Sequence, residues 1–166
     1  MQTLLAVTTS SVLLFSMACS AGSADLAPNG IQMPDNYRDW RLIASSHRED
    51  NHTLRVILGN DTAIEAARAG QTNPWPDGTI LAKLVWKDKI HPDWKKATVP
   101  GDFVHAEFMF KDATKYAHTG GWGFARWLGM EQKPYGENAS FSQECFGCHM
   151  PVKSNDYVFT HPAVLP

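Results

Sequence analysis

Near the carboxyl end the chain reads Cys145-Phe146-Gly147-Cys148-His149, a short run with a definite chemical logic. Two cysteines spaced this way on a helix lie one turn apart, so both thiols reach the two vinyl groups of a haem while the adjacent imidazole meets the iron. The pattern predicts a covalently bound haem c attached through Cys145 and Cys148, with His149 as the iron ligand. Two other chemistries use a Cys-x-x-Cys pair. A redox dithiol needs the pair alone. A zinc site needs two further ligands, and with Cys19 as the remaining cysteine, scattered histidines would have to supply them.

The position of the motif limits the second axial ligand. Only Met150–Pro166 follows His149, and Met150, the single methionine there, is next to the proximal ligand and cannot cross to the other haem face. A downstream methionine ligand is therefore ruled out by reach. Met109 and Met130 remain formal candidates, although methionine in an apolar setting is more often core filler.

Elements must hold this motif in place. Pro34 opens a segment in which Tyr37, Trp40 and Ile43 recur at helical spacing, which predicts a short amphipathic helix. Leu54–Leu58 is an aliphatic run ending at Gly59 and predicts a strand. Asn60 and Asp61 are caps for a helix through Ala63, Ile64, Ala66 and Ala67, with Thr62 and Glu65 at capping-box spacing and Gly70 as terminator. The run 73–78, with two prolines and an Asp-Gly pair, predicts a turn into a strand over Thr79–Trp86. There Thr79, Leu81, Lys83 and Val85 share one face, and Ile80, Ala82, Leu84 and Trp86 the other. A polar connection through His91, Pro92 and Trp94 leads past Pro100-Gly101 to a strand over Phe103–Phe110, with Val104, Ala106, Phe108 and Phe110 on its apolar face. Lys111–His118 suggests a helical turn, Gly120-Gly121 a turn, Trp122–Leu128 a further strand, and Ala139–His149 a last helix stopped by Pro151. The strand-like alternation argues against a four-helix cytochrome, whose long helices would show a 3.6 period.

A chain of 166 residues suits one domain. Its formal net charge of -2 provides no basic field for nucleic acid. Residues 1–24 are apolar at Leu4–Val7 and Val12–Phe15 and then rich in small residues, the order of a secretory signal peptide, although no Lys or Arg precedes Arg38. Export to the periplasm is the expectation, with 25–166 as the haem domain. Cleavage and lipidation at Cys19 is the minor alternative, since Ser16 and Met17 stand where an aliphatic residue belongs.

Several motifs together resemble the cytochrome P-460 family and its relatives, the beta-sheet cytochromes c-prime. They are the run from Pro34 to Trp40, Asp77-Gly78-Thr79 with Lys83, Lys111-Asp112, Gly120-Gly121-Trp122, the Cys-x-x-Cys-His motif, and the run from Asp156 to Thr160. The resemblance implies a mainly β (α+β) fold, an antiparallel sheet with a few short helices packed around one covalently bound c-type haem, in a homodimer. It further implies an iron left open on its distal side. In cytochrome P-460 proper a lysine is bonded to the haem and hydroxylamine is oxidised to nitric or nitrous oxide, with electrons passed to a redox partner cytochrome. The matching lysine is Lys83. The sister group lacks the cross-link, crowds the distal face with phenylalanine, and binds nitric oxide or carbon monoxide without turnover. Simple electron transfer is a third reading, and needs a sixth protein ligand.

The distal candidates carry alternatives. Lys83 lies among aliphatic neighbours, where lysine seldom stands without a partner or a purpose, but a lysine snorkelling at a sheet edge does the same. Arg55 interrupts an aliphatic strand; its family counterpart faces the distal pocket, while a haem propionate or a surface carboxylate is its ordinary partner. Glu107 and His105, expected on one face with Phe103 and Met109, are candidate proton acceptors, with a solvent-facing polar side of the sheet as the favoured reading. His52 is a candidate sixth ligand that would close the iron. His47, His91, His118 and His161 have no apolar context and read as surface residues.

Overall fold

The computed structural model describes residues 25–164; the expected signal segment, with Cys19, lies outside the described residues. Six strands form one antiparallel sheet in sequence order: β1 (Arg41–Arg48), β2 (Thr53–Gly59), β3 (Ile80–Ile90), β4 (Thr98–Lys111), β5 (Trp122–Leu128) and the short β6 (Lys133–Pro134). Two helices accompany it, α1 (Asp61–Arg68) between β2 and β3, and α2 (Phe141–His149) after β6. The fold is thus mainly β with a few short helices, as expected. No helix among the described residues is long and apolar enough to cross a membrane.

Strand alternation divides the apolar residues between two cores on opposite faces of the sheet. One face carries Leu58, Ala82, Ala106, Phe108, Ala125 and Trp127, covered by Ala27, Ile31, Met33 and Tyr37 from the N-terminal segment and by Phe141 of α2. On the other face Ile57, Leu81 and Phe124 meet Ala63, Ile64 and Ala66 of α1 together with Trp75 and Val158. Further along that second face the side chains change from apolar to charged, and the functional site begins there.

The structure corrects the expected helix through Tyr37, Trp40 and Ile43. Only Tyr37–Asp39 forms a 3-10 turn, and Ile43 belongs to β1. The pairing passes from Leu42↔Leu58 to Ala44↔Ile57, so Ile43 is the extra residue of a β-bulge. The bulge lets Ile43 and Ala44, adjacent in sequence, both enter the second core, and their burial has no strand period to read. A second bulge corrects β4. Val85 pairs with His105 but Trp86 pairs with Phe103, which skips Val104. Phe103 therefore packs edge-on against Trp86, ring centroids 5.6 Å apart, and joins the first core instead of sharing a face with His105 and Glu107. Both β3 and β4 also run further than expected, into a long hairpin closed by the 91–97 turn. Its cap is His91 Nδ1, which accepts the backbone N–H groups of Asp93 and Trp94 at 3.1 Å each.

Helix α1 starts where the sequence places it. Asn60 Oδ1 accepts the N–H of Ala63 at 3.1 Å and that of Ile80 at 3.0 Å, and Asn60 Nδ2 donates to the Gly78 carbonyl at 2.9 Å. Asn60 does the capping, so Thr62 is not the cap residue of a box. Gly59 lets the helix close against the strands, since a Cβ there would stand 2.7 Å from Ala63 Cβ. Replacing Asn60 with alanine removes the cap and leaves Ile80 N–H without its acceptor. The expected cost is about 1–2 kcal/mol, read as a lower urea midpoint with unchanged m-value.

Candidate functional site

Helix α2 brings Cys145, Cys148 and His149 to one wall of a cavity of about 580 Å³. The two cysteines are free thiols. Burial pushes the Cys145 thiol up. His149 is the last residue of α2, and the expected stop at Pro151 is a change of helix type: the chain continues as a 3-10 helix over Met150–Asn155. Beyond it the chain turns back through Asp156 and Tyr157, both at positive φ (49° and 61°). This turn puts the Tyr157 carbonyl 2.6 Å from His149 Nδ1. A carbonyl only accepts, so Nδ1 carries the proton and Nε2 keeps its lone pair. The rings of Phe124 and Phe159 lie against the imidazole, each 5.2 Å between centroids. Burial lowers the pKa of His149, with the Tyr157 hydrogen bond opposing. The neutral imidazole this favours is the ligating form.

The sheet face on the cavity side is ordered in three rows set by register, the third of which reaches the cavity only through Arg55. Leu81, Met109 and Phe124 form an apolar row. Next comes Ile57–Lys83–Glu107–Arg126, and then Arg55–Val85–His105–Leu128. Lys83 and Arg126 pair with the two oxygens of the same carboxylate: Lys83 Nζ with Glu107 Oε2, and Arg126 Nη2 with Oε1 at 2.5 Å. Burial pushes the Glu107 carboxyl up, but Lys83, Arg126 and His105 outweigh it and hold it at about 2. Glu107 is therefore ionised at neutral pH. His105 Nε2 lies 3.4 Å from Glu107 Oε1. Burial lowers its pKa to about 4, with Glu107 opposing, so at neutral pH it is an uncharged neighbour. Arg55 lines the cavity and donates from Nε to Thr53 Oγ1 at 3.3 Å; burial and Arg48 lower its pKa.

Lys83, Arg55 and Glu107 are thus brought together in one cavity with Cys145, Cys148 and His149. Glu107 and His105 depart from the solvent-facing reading: their side chains are 17% and 20% exposed, and Glu107 lines the cavity. His52 is exposed in the β1–β2 turn and does not line the cavity. Met109 lines it, whereas Met130 is 77% exposed and does not. His161 is exposed, as expected of a surface residue, and also stands at the edge of the cavity, where the segment after Val158 folds back across the sheet and the Ala163 N–H donates to the Ile43 carbonyl at 2.8 Å. Arg126 escaped the sequence reading. It was discoverable as the one charged residue of the apolar strand Trp122–Leu128.

The donor set fits a haem. A mainly apolar space of this size suits a flat ligand, two unpaired thiols and one neutral imidazole share its wall, and the cations Arg48 and Arg55 suit a ligand bearing carboxylates. For zinc, no group of three or more His, Cys, Asp or Glu side chains gathers among the described residues. A search of curated proteins finds no match. A family model for cytochrome P460 matches residues 34–160. That span takes in β1 through α2 and the Tyr157 turn, and the chain belongs to the cytochrome P460 family, as a haem cytochrome.

Proposed function

We propose that the protein is an exported cytochrome that holds haem c through Cys145 and Cys148, with His149 on the iron, and oxidises hydroxylamine to nitric or nitrous oxide. The observation that supports this most is the charged row Lys83–Glu107–Arg126, set in the same cavity as the Cys-x-x-Cys-His motif. A pocket that only traps a neutral diatomic gas needs no such row; Phe124 and Phe159 of the cavity lie against His149, and the neighbours of Lys83 and Glu107 in the flanking rows are Leu81, Met109, Val85 and His105. When bound, the haem supplies an iron that takes up a nitrogen ligand and passes electrons on to a redox partner cytochrome.

Hydroxylamine oxidation releases protons and electrons in equal number, so the chain must accept protons beside the substrate. Glu107 is the carboxylate in reach of that task. With two cations on it, it is a weak base, and its acceptor strength rises if Lys83 gives up its charge on bonding to the haem. Arg55 is placed to orient a bound nitrogen oxide by its fixed positive charge. Periplasmic maturation and a homodimer complete the proposal.

The test is steady-state turnover of purified holoprotein with hydroxylamine and a soluble electron acceptor. Sustained consumption is expected, with the Glu107→Gln variant slower by about 100-fold, the lower end for a general base. Binding of nitric oxide with no consumption of hydroxylamine would overturn the enzymatic reading in favour of a gas-binding protein. A low-spin ferrous spectrum without added ligand would instead favour electron transfer. The lysine cross-link is tested separately by mass analysis of tryptic peptides, in which the Lys83 peptide is expected to remain joined to the haem peptide; separate peptides would remove it.

A further inference from the structure

Lys111, Trp122 and Asp156, from three separate sequence motifs and none of them lining the cavity, come together beside His149. Lys111 and Asp156 lie 7% and 8% exposed, and Lys111 Nζ donates to both Asp156 carboxylate oxygens at 2.7 and 2.8 Å. Asp156 Oδ2 also accepts the N–H of Trp75 at 2.9 Å, and the Asp156 carbonyl accepts the indole N–H of Trp122 at 2.8 Å. Gly120 and Gly121 give this network its room. At Gly120, with φ +68°, any side chain would run into the Tyr157 ring, and a Cβ at Gly121 would stand 3.2 Å from Lys111 Nζ.

A buried ion pair is weak as a source of stability, because removing two charges from water offsets much of their attraction. What this one does is fix a place. Asp156 and Tyr157 both hold left-handed backbone conformations that ordinary residues disfavour, and such a turn persists only where its surroundings over-determine it. Each of these polar contacts of Asp156 pins that turn, and the next carbonyl along it takes the Nδ1 proton of His149.

We propose that the Lys111–Asp156 ion pair is a positioning device for His149: it locks the Asp156–Tyr157 turn so that the Tyr157 carbonyl sets the orientation and basicity of the proximal imidazole. A hydrogen bond from Nδ1 makes Nε2 a stronger donor to a metal and favours the higher oxidation state. Lys111 and Asp156 thereby tune the iron without lining its cavity. This inference rests on His149 being the iron ligand.

The test uses ferrous holoprotein, with the iron–histidine stretching band in resonance Raman and the midpoint potential as readouts. Asp156→Asn is expected to lower the stretching frequency and move the potential positive, with Trp122→Phe doing the same to a smaller extent without leaving a charge buried. Asn60→Ala, destabilising but remote, is expected to leave both readouts in place. If Asp156→Asn fails to fold, Trp122→Phe carries the test. Wild-type values in the folded variants would overturn the inference. Absence of an iron–histidine band from wild-type protein whose ferrous spectrum is high-spin would instead overturn the assignment of His149, and the two failures are thus told apart.

Discussion

Replacing Cys145 and Cys148 together with serine should yield a protein from which acid-acetone extracts all of the haem. The wild-type chain should keep all of its haem under the same treatment. A thioether is a covalent bond, so its retention is all or none for each chain, and no hydrogen bond or packing contact survives the solvent. Each single variant, Cys145→Ser or Cys148→Ser, keeps one thioether and should retain pigment with an altered spectrum. The wall facing α2 does not depend on the thiols for its shape, because it is built of the paired rows of β2 to β5, and serine is close to cysteine in size. The double variant should therefore still fold, and loss of colour is attributable to attachment. Pigment that resists extraction from the double variant would mean that the sulfurs are not the attachment points.

The second large effect concerns stability. Changing Lys111 to methionine keeps most of the side chain's apolar bulk and removes its charge, leaving the Asp156 carboxylate buried with only the Trp75 N–H still donating to it. Breaking a buried pair on one side costs about 3–5 kcal/mol, far more than the pair contributes relative to an apolar replacement. Lys111 Nζ also lies 5.0 Å from the centroid of the Trp122 ring, and the substitution removes this cation–π attraction as well. Urea unfolding of holoprotein should show the full loss. The Lys111→Met/Asp156→Leu double variant, with no stranded charge, should recover part of it. A single variant within about 1 kcal/mol of wild type, the lower bound for an unsatisfied buried group, would contradict the account of this network.

The parts of the molecule legible in its sequence are those set by local chemistry. Asn60 announces its helix because an amide oxygen at that position accepts the orphan N–H of Ala63. The strand Trp122–Leu128 has the expected bounds, and Lys83 falls on the face where strict alternation places it. The Cys-x-x-Cys-His run is read from three side chains on one helix. What was not legible depends on partners distant in sequence. The bulges at Ile43 and Val104 each insert one residue and reverse the facing of what lies beyond, and nothing local in either strand marks them. Glu107 and His105 look like an exposed polar edge until β3 and β5 are paired on either side of β4 and bring Lys83 and Arg126 onto Glu107. The pairing of Lys111 with Asp156 joins a strand end to a turn after the last helix, and only the folded chain brings them into contact.

A haem held by two sulfurs and one imidazole is the proposal on which the rest depends. It is tested most directly by intact mass analysis of the denatured wild-type protein, produced in a host that matures c-type cytochromes, followed by peptide mapping. One covalent haem per chain is expected, located on the peptide that contains Cys145 and Cys148. A polypeptide of unmodified mass with both thiols open to alkylation would contradict it.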